Sequence, residues 1–219
     1  MPMMTFTHAM LRPRLAARPL VRAALHDSTH AWHGHCHRQA SSLTQQRKKQ
    51  PHAIAEPWPL KIAIPDMHSQ VNLSRIVRAA ALFGFKDLLV SGSGKMDRTI
   101  SLGAEEHVTI KSVRTLVQPL RKLRANGWLV VGLEQTEASH SLFEYEWPRG
   151  PTVLLCGHER HGVSDELLAE CDDVVEIPTF GTHLGSHNAS TATMMAMYEY
   201  VKQRAPEGGD AVAEAAPTS

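Results

Sequence analysis

Between Leu60 and Lys202 the chain alternates short β-branched runs with amphipathic stretches, and this alternation constrains the fold more than any other feature of the sequence. The runs "LKIAIP" (60–65), "DLLVSG" (87–92), "HVTI" (107–110), "WLVVGLE" (128–134), "TVLLCG" (152–157) and "DVVEIP" (173–178) are rich in apolar and β-branched residues, most of them ending in turn formers. Each reads as a buried strand. The segments "SQVNLSRIVRAAALFG", "TLVQPLRKLRANG", "SDELLAEC" and "ASTATMMAMYEYVKQ" carry apolar residues three and four apart, and the first two run into Gly84 and Gly127. These read as helices closing on glycine. Strand and helix in turn predict an α/β fold, a mostly parallel six-stranded sheet with helices on both faces. Ligands of such sheets sit beyond the carboxyl ends of the strands, which points to the loops after Leu133, Cys156 and Ile177.

The flanks have a different character. Residues 1–59 carry eight Lys/Arg against Asp27 and Glu56, whereas residues 60–202 carry fourteen Lys/Arg against seventeen Asp/Glu. A basic, His-rich, Pro-punctuated extension and linker (1–59) therefore precedes one principal domain (60–204), followed by an Ala-, Gly- and acid-rich tail (205–219) too poor in apolar residues to fold. The arm reads either as an electrostatic handle for nucleic acid or as a solvated extension. Its first residues are Arg-rich and nearly free of acid, as transit peptides are, but Pro13 and Pro19 interrupt an amphipathic helix. A cytoplasmic location is the expectation, with a mitochondrial one as the alternative. No apolar run reaches the roughly 18 to 20 residues of a membrane span, so no membrane partner is expected. Cys36, Cys156 and Cys171 are odd in number and lack close pairing, consistent with free thiols. His30, His33, His35, Cys36 and His37 are ligand types, but neighbours along an extended chain point apart and no metal is expected from them.

Three stretches carry polar residues that turn and cap chemistry does not fully explain. In "VNLSRIVRAAALFG", Asn72 and Arg78 stand six apart, and Arg78 lies on an otherwise apolar helix, where it needs a partner or must reach water. In "CGHERHGVSDELL", Gly157, Glu159 and Gly162 form a turn before a helix that Ser164 can cap, which leaves Glu159 without a structural purpose. In "EIPTFGTHLGSHNAS", small polar residues crowd the approach to a helix that Asn188 or Ser190 can cap. A phosphate-binding loop is not the explanation: near "SGK", Leu89 stands where the first glycine of that motif belongs, and no G-x-G-x-x-G opens a helix.

Taken together, over about Leu60–Lys202, these stretches resemble the SpoU/TrmH family of RNA 2′-O-ribose methyltransferases, of the SPOUT superfamily. Asn72, Arg78, Phe83 and Gly84 match its first motif. Gly157, Glu159, Gly162, Ile177 and Pro178 match the second, and Ser186, His187, Asn188, Ala189 and Ser190 the third. Ser74 and His187 depart from the usual Gly and Leu, and the loop from Ile177 to Ser186 is about one residue longer than the family's. The resemblance implies a deep trefoil knot over roughly Trp128–Lys202, with Gly181, Gly185 and Ser186 small enough for close backbone approach. It implies S-adenosylmethionine as cofactor, held largely by main-chain groups at Leu133, Gly157, Ile177 and His187. Arg78 would be the central catalytic residue, better suited to clamp a phosphate and a developing alkoxide than to act as a base. Asn72, Glu159, Ser186 and Asn188 would orient Arg78 and the ribose. The implied substrate is tRNA or rRNA and the implied assembly a homodimer. The competing readings are a catalytically silent RNA-binding relative and a small-molecule α/β enzyme.

Overall fold

The computed structural model describes residues 54, 56–181 and 185–205. The chain divides into two units, Met1–Gln50 and Pro51–Ser219, and every described residue belongs to the second. Residues 1–53 of the basic arm, with the His30–His37 cluster, and residues 206–219 of the C-terminal tail lie outside the described residues.

The elements of the second unit are β1 (Leu60–Ile64), α1 (Gln70–Phe83), β2 (Asp87–Ser91), α2 (Arg98–Ser101), a 3-10 turn at Ala104–His107, β3 (Thr109–Val113), α3 (Val117–Ala125), β4 (Leu129–Leu133), β5 (His140–Ser141), β6 (Thr152–Leu155), α4 (Asp165–Leu168), β7 (Asp173–Glu176) and α5 (Ala189–Lys202). The strands form one sheet in the order β3-β2-β1-β6-β4-β7-β5, and every neighbouring pair is parallel. Seven strands replace the expected six. The addition is β5, two residues at the edge beside β7, too short to leave a pattern in the sequence; Leu142 N–H donating to Glu176 O (2.8 Å) extends its pairing. β3 begins two residues later than the "HVTI" run, because His107 is taken into the 3-10 turn. As the opposite edge strand β3 needs only one buried side, and it carries Lys111 and Ser112 where inner strands are apolar.

Alternation along the inner strands sends side chains to two cores. Ile62, Ile64, Leu88, Val90, Val131, Leu154 and Val175 pack with Ile76 and Val77 of α1 and Met197 and Tyr200 of α5. Ala63, Leu89, Val130, Val153 and Leu155 pack on the other face with Leu116 and Leu120, next to and within α3. Helices therefore cover both faces of the sheet.

Local chemistry fixes the two long helices. Ser69 Oγ accepts the Asn72 N–H (3.2 Å) at the start of α1, and Gly84, at φ 82°, closes it by donating to the Ala80 and Ala81 carbonyls. Ser74, fully buried on α1, donates to Gln70 O (2.7 Å) and accepts the Asp97 N–H (2.8 Å), so its hydroxyl ties α1 to the residue capping α2. α5 starts at Asn188, whose Oδ1 accepts the Ser190 and Thr191 N–H groups. Ser164 does stand at the N-cap position of α4, but its side chain makes no capping bond.

Candidate active site

A cavity of about 190 Å³ opens at the carboxyl ends of β4, β6 and β7. These three strands supply Leu133 with Glu134 and Gln135, the turn from Gly157 to Gly162, and Glu176 with Ile177, while the start of α5 adds Ser186, His187, Ala189 and Ala192. Leu133, Gly157, Ile177 and His187, the four positions the family resemblance assigns to cofactor, all line this one cavity.

The turn after β6 is held from both sides. His158 N–H donates to Gly162 O (2.9 Å) and Gly162 N–H returns a bond to His158 O (3.1 Å). Gly162 has φ 62°, and a Cβ there would lie 2.0 Å from Glu134 Oε2, so only glycine fits. Glu134, which closes β4, accepts the Val163 N–H at Oε2 (2.6 Å) and the Gln135 N–H at Oε1 (2.9 Å) and thereby anchors the turn to the neighbouring strand. Sequence reasoning overlooked Glu134. A carboxylate directly after an apolar strand, facing a glycine-flanked turn, was the available signal.

Glu159, from that turn, reaches across to α1. Its Oε1 accepts from Asn72 Nδ2 (3.2 Å) and from the Ser69 N–H (3.1 Å). Asn72 Oδ1 in turn accepts from Asn188 Nδ2 (3.2 Å), and Ser190 Oγ, 3.3 Å from Asn72 Oδ1, donates its one proton to Asn188 Oδ1 (2.7 Å). Residues from all three motifs thus join a single network spanning the turn, α1 and α5. Burial pushes the Glu159 carboxyl up, but the bonds from Asn72 and the Ser69 N–H, with His158 nearby, outweigh it and hold the group below the ordinary carboxylate range.

Three expected residues lie differently. Arg78 points to solvent from α1 and, among the described residues, donates only to the Ile100 carbonyl (3.4 Å); it does not line the cavity. A Cβ on Gly181 or Gly185 would meet nothing within 4 Å among the described residues, so the close approach expected there is not what selects glycine at either position. Residues 182–184 lie outside the described set. Cys156, at the end of β6, is fully buried and its thiol is pushed up to about 12, which removes it as a nucleophile; Cys171 is likewise free, its thiol raised by burial. Among the described residues no cluster of His, Cys, Asp and Glu is arranged to hold a metal ion, and no helix is long and apolar enough to cross a membrane.

Residues 59–198 match the model of the SpoU rRNA Methylase family. The chain is 32% identical over 139 residues, 61% of its length, to the tRNA (guanosine(18)-2′-O)-methyltransferase TARBP1 of Mus musculus, of which it spans 9%. It is 31% identical over 157 residues, 69% of its length, to the 23S rRNA (guanosine-2′-O-)-methyltransferase RlmB of Pseudomonas aeruginosa, of which it spans 62%. It spans less than two-thirds of either relative. The fold is similar, at a TM-score of 0.58 and 27% identity, to the SpoU methyltransferase AviRb of Streptomyces viridochromogenes in complex with AdoMet, over 70% of this chain and 63% of that one.

Proposed function

The chain belongs to the SpoU rRNA Methylase family, and on that footing we propose that it methylates a ribose 2′-hydroxyl of tRNA or rRNA with S-adenosylmethionine as methyl donor. The observation that carries this reading is the Glu159–Asn72–Asn188–Ser190 network, which stands against a cavity at the strand ends and joins all three motifs.

The residues present fit the cofactor. Leu133, Ile177, Ala189 and Ala192 give apolar wall for a purine, and Glu134, Glu159 and Glu176 give negative charge for a cationic ligand. When bound, S-adenosylmethionine supplies an electrophilic methyl on a sulfonium. The chain's own work is alignment: Glu159 and Asn72 fix the wall that the ribose meets, while Ser186 and Asn188, at the entrance to α5, supply polar groups for its hydroxyls. A hydroxyl-reading site of this kind selects RNA over DNA.

Arg78 acts in this reading as a cation for a substrate phosphate rather than as a group on the cavity wall, in keeping with its solvent-facing position. A homodimer accompanies the proposal. Exposed Val71 and Leu82 flank Arg78 on α1, and Phe83, Leu142, Phe143, Met194, Met195 and Tyr198 line an apolar groove beside it. A second copy covering that groove would hide apolar surface and carry Arg78 towards a partner's cavity. A trefoil knot over roughly Trp128–Lys202 is also proposed. It is supported by β6 lying between β1 and β4, and by α5, which follows the outlying β7 yet packs on α1.

The exposed Arg78 favours one second reading, a silent RNA-binding relative. Incubation with labelled S-adenosylmethionine and mixed tRNA and rRNA separates the two. The enzyme reading expects label in the RNA, and a protein that binds RNA without transferring label is the silent relative.

A further inference from the structure

The turn after β6 holds a histidine that the Glu159–Asn72–Asn188–Ser190 network does not use. His158 is nearly buried, its side chain 13% exposed, and it lies between two other imidazoles. His68 meets it edge-on with ring centres 5.5 Å apart, and His161 stacks on it at 5.0 Å. The Arg160 N–H donates to His158 Nδ1 (3.0 Å), so Nδ1 must present a lone pair and the proton of the neutral ring sits on Nε2. Nε2 is 3.6 Å from Glu159 Oε2, a buried oxygen that receives no hydrogen bond among the described residues, whereas Oε1 is occupied by Asn72 and Ser69.

We propose that His158 is a positioning residue which holds the cavity turn in place only as the neutral, Nε2-protonated imidazole, so that uptake of a second proton loosens cofactor binding. The proposal rests on the reading that this cavity takes S-adenosylmethionine. A second proton has only Nδ1 to occupy, where it would face the Arg160 N–H, donor against donor. That bond must break, and the turn it braces supplies His158, Glu159, Arg160 and Gly162 to the cavity wall. The new charge would also stand beside a cavity whose ligand is a cation. Attraction between the imidazolium and Glu159 opposes both effects, but Glu159 is already fixed through its other oxygen. The remaining charged or titratable groups facing this region are His68 from the segment before α1, Arg160 and His161 from the turn, Glu134 after β4, Glu176 at the end of β7 and His187 before α5. His68 and His161 are exposed imidazoles in contact with His158, so the test must separate them from it.

The full chain labelled with ¹⁵N-histidine reports the tautomer directly through ring proton–nitrogen correlations at neutral pH. Calorimetry then gives the S-adenosylmethionine dissociation constant at pH 7.5 and 5.5 for the parent, His158→Asn, His68→Asn and His161→Asn. The asparagine oxygen at 158 still accepts from Arg160 but cannot titrate. The expected results are an Nε2-protonated His158, a parent affinity about tenfold weaker at pH 5.5, on the order of one lost hydrogen bond, a largely flat His158→Asn, and an undiminished drop in the other two variants. An Nδ1-protonated His158 overturns the proposal even if His158→Asn does not fold. A His158→Asn variant that drops as far as the parent also overturns it, while leaving the cofactor reading standing. Absence of binding at both pH values overturns the cofactor reading itself and this coupling with it.

Discussion

Asn72 uses both ends of its amide inside the site: Nδ2 donates to Glu159, and Oδ1 accepts from Asn188. Asn72→Ala leaves Asn188 Nδ2 without its acceptor and takes from Glu159 Oε1 one of its two donors, the Ser69 N–H remaining, and a buried group left unpaired costs about 1–3 kcal/mol. The variant should melt several degrees below the parent and transfer methyl groups at least about tenfold more slowly, since misplacement of the ribose acts on rate as well as binding. Glu159 contributes to the pH dependence of stability. Its folded pKa lies below the unfolded value, so its contribution is present above the unfolded value and is lost as pH falls through the folded one. Urea midpoints followed from neutral into acid should fall less steeply for Glu159→Gln than for the parent. At this scale the sequence was informative where a polar residue lacked a structural purpose, as Glu159 did. Arg78 shows the limit, because six residues along a helix is about one and two-thirds turns, which sends Arg78 to a different face from Asn72.

Among the elements, the six long strands and four of the helices were legible because burial on both faces leaves a continuous apolar signature in the five inner ones, β-branched residues mark the edge strand β3, and helix caps leave Ser, Asn and Gly. α2, the 3-10 turn and β5 were not. "RTIS" and "HS" are too short to carry a period, and they are held by contacts from elsewhere, the Asp97 cap and the edge of β7 respectively. The turn after β6 shows how an element becomes a site. Gly162 is confined by its positive φ and by Glu134 Oε2, so Gly162→Ala adds strain on the order of 1–3 kcal/mol. Calorimetry of that variant should show little S-adenosylmethionine binding, with circular dichroism retaining the helical signal. Ser74→Ala tests the departure from the family's usual Gly. It leaves the Asp97 N–H without its acceptor and should cost about 1–2 kcal/mol in urea unfolding. Because Ser74 lies outside the cavity, cofactor affinity should stay within about twofold, less than one kcal/mol in binding terms.

For the whole molecule, the strand order brings β6 and β7 to either side of β4 and so gathers the three loops that line the cavity at one end of the sheet. Sequence could locate those loops but not their order across the sheet, which depends on contacts between residues far apart in the chain. The same scale holds the proposed dimer. Light scattering should give twice the mass of one chain at micromolar concentration, and Met195→Glu with Tyr198→Glu in the apolar groove should reduce it towards a single chain. The central claim is methyl transfer to a ribose hydroxyl. It is tested most directly by incubating the protein with S-adenosylmethionine labelled in its methyl group and with unmodified tRNA and rRNA, then identifying the labelled nucleosides by mass spectrometry. Label in 2′-O-methylated nucleosides, reduced at least tenfold by Glu159→Gln, is the predicted result; label on a base, or no transfer by a protein that binds both the cofactor and the RNA, would contradict it.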